Sequence, residues 1–149
     1  MLVLDTESKA WSKGPNLKHA RCGHSALSLA EYLYVFGGFN DPRMIGSIER
    51  INPLHEVAWS VIVSNDVKVR RKYSVAVAVR SDSIAIFGGP KRDGKMSDGY
   101  ILNVKALSLR PILGDKNDLS FLSKSYAQRV DSSTFVTLGS GADQNLHLV

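Results

Sequence analysis

Short apolar runs broken by polar turns fill this chain, and they return at a fixed interval. Ser25-Ala26-Leu27-Ser28-Leu29, a turn at Ala30-Glu31, and Tyr32-Leu33-Tyr34-Val35-Phe36 lead into Gly37-Gly38. The same order returns as Ser74 to Val79, a turn at Arg80-Ser81-Asp82-Ser83, and Ile84-Ala85-Ile86-Phe87 before Gly88-Gly89, whose first glycine follows Gly37 by 51 residues. A degraded third copy runs from Ser125 to Val130, turns at Asp131-Ser132-Ser133 and continues from Thr134 to Leu138 before Gly139-Ser140. Apolar runs of this length joined by polar turns predict β-hairpins. The second turn reads as about two residues longer than the first, a change that hairpin tips tolerate.

Two more strands are predicted after each double glycine: Ser47 to Pro53 and Val57 to Ile62 in the first unit, Tyr100 to Val104 and Ala106 to Leu109 in the second. The chain opens on such a half-unit, Leu2-Val3-Leu4-Asp5 and Ala10-Trp11-Ser12, which makes Trp11 and Trp59 equivalent. A last apolar run, Asn145 to Val149, reads as one further strand. Helical spacing is confined to a single turn at Asp118 to Leu122. The pattern predicts an all-β chain of about 13 strands in one domain.

A period of about 50 residues with four short strands per unit is the signature of kelch repeats. Further marks are Arg21-x-x-His24-Ser25, the run ending in Gly37-Gly38, and Ile48-Glu49-Arg50-x-Asn52-Pro53 leading to Trp59. The second unit keeps Arg70-x-x-Tyr73-Ser74 and Phe87-Gly88-Gly89, and Arg110 stands near the place of the tryptophan. The chain therefore resembles the kelch-repeat family. The resemblance implies a β-propeller arc of about three four-stranded antiparallel blades in an incomplete ring. The corresponding divisions are a partial blade over 1–20, blades over 21–64 and 70–113, and an incomplete blade over 124–149. Paired glycines suit positive φ and close backbone approach, and a tryptophan near the fourth strand offers apolar surface to cover the next blade. A ring needs four to eight blades. The expectation is a part of a longer propeller, ahead of the rival in which two copies supply six blades and one copy's first strands finish the other's last blade.

Composition is that of a folded soluble protein, with 44% apolar and 22% charged residues. No apolar run approaches a membrane span, and no membrane partner is expected. Cys22 is the only cysteine and no Asn-x-Ser/Thr site occurs, which favours a cytoplasmic setting.

The candidate chemistry is sparse. His19, His24, His55 and His147 show no metal-ligand spacing. His24 belongs to the repeat motif and His19 is expected to be solvated. Gly139-Ser140-Gly141 falls at a double-glycine position rather than in a nucleophile elbow, and Gly94-Lys95 lacks the rest of a phosphate loop. Kelch repeats also occur in galactose-oxidase-like copper enzymes, but no ligand set beyond Cys22 presents itself. The expectation is a non-enzymatic chain with no cofactor and no metal.

Charge is distributed unevenly. The resemblance places the strand 2–3 loops (39–46, 90–98, 141–144) and the strand 4–1 loops (13–21, 63–72, 114–124) on one face. These segments hold thirteen of the nineteen Lys and Arg residues but seven of the fourteen acids. Arg43, Arg70, Arg71, Lys72, Lys91, Arg92 and Lys95 are the candidate partner-binding residues. Kelch domains that the chain resembles act as protein-interaction scaffolds, so the expected partner is another protein with an acidic surface. Nucleic acid or another polyanion is the alternative, disfavoured because the loops hold few aromatics for base stacking.

Overall fold

The computed structural model describes residues 1–90 and 99–112 in full and the backbone of Tyr126–Arg129 and Phe135–Leu138. The described residues form fourteen strands: β1 (Leu2–Leu4), β2 (Trp11–Lys13), β3 (Ser25–Leu29), β4 (Tyr32–Phe36), β5 (Phe39–Asn40), β6 (Arg43–Met44), β7 (Ile48–Ile51), β8 (Ser60–Val63), β9 (Val75–Arg80), β10 (Ser83–Phe87), β11 (Tyr100–Asn103), β12 (Ser108–Pro111), β13 (Tyr126–Arg129) and β14 (Phe135–Leu138). The all-β expectation holds. Among the described residues no helix is long and apolar enough to cross a membrane. The predicted turn at Asp118 to Leu122 and strand at Asn145 to Val149 lie outside the described residues.

Two complete antiparallel sheets carry the fold, ordered β3-β4-β7-β8 and β9-β10-β11-β12. The pairs β1–β2 and β13–β14 are two-stranded, and β5–β6 is a small hairpin inside the first strand 2–3 loop. That hairpin has two-residue strands, too short for an alternating pattern to announce it. The fourth strand of the first sheet starts at Ser60, later than the predicted Val57, because residues 53–58 are spent on the turn opened by Asn52.

The sheets stack face to face because both faces of the inner strands are apolar. Tyr34, Phe36 and Ile48 of the first sheet bury against Ile84, Ile86 and Leu102 of the second, with Val69 from the connecting loop. The far face of the second sheet gathers Val75, Val77, Ala85 and Phe87. The near face of the first gathers Val35, Ile51 and Trp59, with Met1 and Leu17 from the preceding segment against them. At the inner edge the Ser25 hydroxyl donates to the Ser74 carbonyl at 2.6 Å, linking the sheets.

The register of the repeat differs from its sequence reading. Ser25 pairs with Phe36 as Val75 pairs with Phe87. The second unit thus trails the first by 50 residues before the hairpin turn and by 51 after it. The turn is one residue longer, absorbed at the irregularity between Ser83 and Ile84. Arg71 rather than Arg70 is then the counterpart of Arg21, and Tyr73 the counterpart of Gly23. Backbone conformation agrees, since Gly23 has φ +59° and Tyr73 φ +56°.

The tryptophan correspondence needs two corrections. Trp59 covers the preceding segment rather than the following sheet, and its indole N–H donates to the Pro15 carbonyl at 3.1 Å. Its counterpart in the second sheet is Leu109, since Leu109 faces Leu102, the counterpart of Ile51; Arg110 lies one residue further on. Leu109 packs into the interface between the sheets.

Candidate functional site

Loops from both sheets meet at one end of the stack. The β4–β7 loop pairs with the strand leading into β3 through reciprocal 2.9 Å bonds between Cys22 and Phe39. The loop before β9 reaches the same place: Tyr73 N–H donates to Gly23 O at 2.7 Å, and Gly38 N–H to Arg71 O at 2.8 Å. Gly37 has φ +56°, and a Cβ there would lie 2.6 Å from Arg71 O and 2.7 Å from Val69 O. This glycine therefore permits the backbone of one unit to seat on the loop of the next.

Two buried arginines tie these loops down. Arg21 Nη1 donates to Gly37 O at 2.8 Å and to Ser47 O at 3.1 Å, and Nη2 reaches Glu49 Oε1 at 2.5 Å. Both side chains of that ion pair are inaccessible to solvent. Glu49 also accepts the Lys18 and His19 amides and lies 3.1 Å from His19 Nδ1. Burial pushes the Glu49 carboxyl up, but the two amides, the His19 ring and the Arg21 guanidinium outweigh it and hold the group below its ordinary range. The predicted solvation of His19 is thus only half right: one ring nitrogen serves Glu49. His24 is exposed, with its Cβ against Gly38.

In the second sheet Arg71 is 1% exposed. Its Nη1 donates to Gly88 O at 3.3 Å, and Nε and Nη2 donate to Lys68 O. Tyr100 stands where Glu49 stands in the first sheet, and the Arg71 guanidinium lies 5.5 Å from its ring centroid. Where Arg21 meets the Glu49 carboxylate, Arg71 meets the Tyr100 ring.

The other candidate residues fall in different surroundings. Arg43 is exposed on the β5–β6 hairpin. Arg70 is half-buried and donates to Asn65 Oδ1. Lys72 is half-buried, its Nζ 5.3 Å from the Phe39 ring and 5.9 Å from the Tyr73 ring, which meet edge to face at 6.0 Å. Arg71 was singled out as a partner-binding residue, yet its guanidinium is spent inside the protein on backbone carbonyls. Lys91, Arg92 and Lys95 lie outside the described residues. Sequence reasoning missed Phe39 and Tyr73 as a pair; they are 34 residues apart, and only the loop-to-loop bonds bring them together. Among the described residues no group of three His, Cys, Asp or Glu side chains is placed to hold a metal ion.

The repeat geometry agrees with a family comparison. A profile described as Kelch motif matches residues 20–57, from the Arg21 loop to the turn before Trp59. The chain carries a kelch repeat. It is also similar to Kelch-like protein 35 of Mus musculus, at 27% identity over 96 residues, which is 64% of this chain and 16% of that protein. The chain thus spans a small part of the curated relative it matches. The matched kelch segment contains the Arg21–Glu49 pair, Gly37 and Gly38, so the features that anchor the loop end are those of the repeat itself.

Proposed function

We propose that the chain is a non-enzymatic protein-interaction module of the kelch type that binds a partner through the loop end of its sheets. The observation that carries this reading is the convergence of loops from two successive sheets, where Phe39 and Tyr73 meet under Lys72, with Arg43 exposed and Arg70 half-buried on the same loops. Aromatic and Arg side chains on a rigid frame are the residue types that dominate protein interfaces. The partner is a protein with an acidic surface, because exposed guanidinium and ammonium groups pair with carboxylates. In the sequence Lys91, Arg92 and Lys95 follow the second double glycine and add three cations to this reading. A cytoplasmic, reducing setting suits the exposed free thiol of Cys22.

The second reading, a polyanion such as nucleic acid, draws on the same charge but offers one aromatic pair for stacking. Two measurements separate them. A gel shift with single-stranded and duplex oligonucleotides at moderate salt should show no complex. Binding to a purified acidic protein partner should weaken as salt rises and fall further in Arg43→Ala/Arg70→Ala/Lys72→Ala. A salt-insensitive affinity that the triple substitution leaves unchanged would remove the loop end from the interface.

A further inference from the structure

Tyr73 holds a backbone conformation that suits glycine. Its φ is +56°, and its counterpart in the first unit is Gly23 at φ +59°. A bulky side chain is strained in this region, and glycine is not. Among the described residues the other non-glycine positions with positive φ are Lys9, Ala30, Asn65 and Leu107. Lys9, Ala30 and Leu107 lie in the turns of paired strands, and asparagine is a type that tolerates the conformation. Tyr73 belongs to neither class. Its amide donates to Gly23 O at 2.7 Å, but glycine would make the same backbone bond. The strain therefore accompanies the side chain.

That side chain puts a ring at the loop end. It meets the Phe39 ring at 6.0 Å and 69°, and the two rings roof Gly23, where a Cβ would lie 2.9 Å from Tyr73 Cε1 and 3.0 Å from Phe39 Cε1. Both aromatic residues are half-buried, so the pair keeps a solvent-facing part. Lys72 Nζ lies 5.9 Å from the Tyr73 ring. Among the described residues the ion pairs are those of Glu49 with Arg21 and His19, and Lys72 has no acid against it. Backbone strain held at a surface cluster is characteristic of ligand contacts.

We infer that Tyr73 is the specificity-determining contact of the loop end, and that it takes an aromatic side chain of the partner standing next to a carboxylate. This deepens the proposed interaction surface and rests on it. The partner's ring packs on the solvent-facing part of the Tyr73–Phe39 pair, where ring contacts contribute beyond the area they bury. The neighbouring carboxylate meets the Lys72 ammonium. Charge alone attracts any acidic surface, and the ring pair discriminates among them.

Two probes test this at one salt concentration: polyglutamate, and a random copolymer of glutamate and tyrosine of the same length. The wild-type chain should bind the copolymer about tenfold more tightly than polyglutamate. Tyr73→Phe should keep that preference, and Tyr73→Gly should lose it. Tyr73→Gly should also melt within a few degrees of wild type, because glycine relieves the left-handed strain as the ring contacts are lost. Tyr73→Asn, whose side chain tolerates the same backbone, should behave as Tyr73→Gly. Equal affinity of the wild type for the two probes, or a preference kept by Tyr73→Gly and Tyr73→Asn, would overturn the role of Tyr73 while leaving the basic loop end standing. Loss of the melting transition in both variants would make Tyr73 a structural residue and overturn the role equally. Polyglutamate binding that Arg43→Ala/Lys72→Ala leaves unchanged, or no binding of either probe, would overturn the loop-end reading as well.

Discussion

Arg71 holds in the second sheet the place that Arg21 holds in the first. Both donate Nη1 to the first glycine of a double-glycine pair, at 2.8 Å to Gly37 and 3.3 Å to Gly88, and both return Nε to a carbonyl just upstream. What faces them differs: Glu49 in one sheet and Tyr100 in the other. The same backbone contacts recur beside a carboxylate in one sheet and beside an aromatic ring in the other.

Acid should loosen the lock that Arg21 makes with Glu49. The folded-state pKa of Glu49 lies below its unfolded value, so its contribution is complete above the ordinary carboxylate range and is lost as pH falls through the folded value. Glu49→Gln should cost about 3–5 kcal/mol at neutral pH, because it leaves Arg21 buried without its counter-charge. Thermal melts from pH 7 into acid should show the gap between wild type and Glu49→Gln narrowing. A gap that stays constant would mean that the carboxylate charge contributes nothing.

Adjacent arginines should behave oppositely. Arg71→Ala removes a buried guanidinium that serves the Lys68 and Gly88 carbonyls and should cost about 3 kcal/mol. Arg70→Ala removes a half-buried side chain whose guanidinium bonds Asn65 Oδ1 and should cost about 1 kcal/mol or less. Urea unfolding of both variants checks this, and equal effects would contradict the 50-residue register.

Gly37→Ala should destabilise by about 1–3 kcal/mol from its left-handed backbone alone, and by more from collision with the Arg71 and Val69 carbonyls. Because those carbonyls belong to the next unit's loop, the substitution should also speed hydrogen exchange at the Gly38 and Tyr73 amides. A variant as stable as wild type would show that the loops are not seated as described.

The two tryptophans should also separate. Trp59→Ala empties a buried site beside Val35, Ile51 and Leu17 and should cost about 3–5 kcal/mol. Trp11→Ala should have little effect on the isolated chain, where the ring is exposed, and denaturant titration at low concentration would reveal a difference of that size.

How much of this was legible in the sequence varied with the physics of each feature. The inner strands announced themselves because β4 and β10 are apolar on both faces and end on glycines that need positive φ. The arginine register did not, because Arg70 and Arg71 are neighbours and a tyrosine occupies the left-handed position that glycine takes in the first unit. The facing of Trp59 was equally hidden: in a strand buried on both sides, alternation no longer distinguishes one face from the other. The loop-end cluster depends on backbone bonds between segments far apart in sequence, and no local pattern encodes those.

The loop end stands or falls most directly on a comparison of the two ends of the stack. Proteins captured from a cell extract by the wild-type chain would be quantified by mass spectrometry against Arg43→Ala/Arg70→Ala/Lys72→Ala, and against Arg80→Ala/Lys105→Ala at the opposite turns, where both side chains are exposed. Loss of a specific partner from the loop-end variant and its retention by the opposite-end variant is the predicted result. A partner kept by the first variant and lost by the second would contradict it.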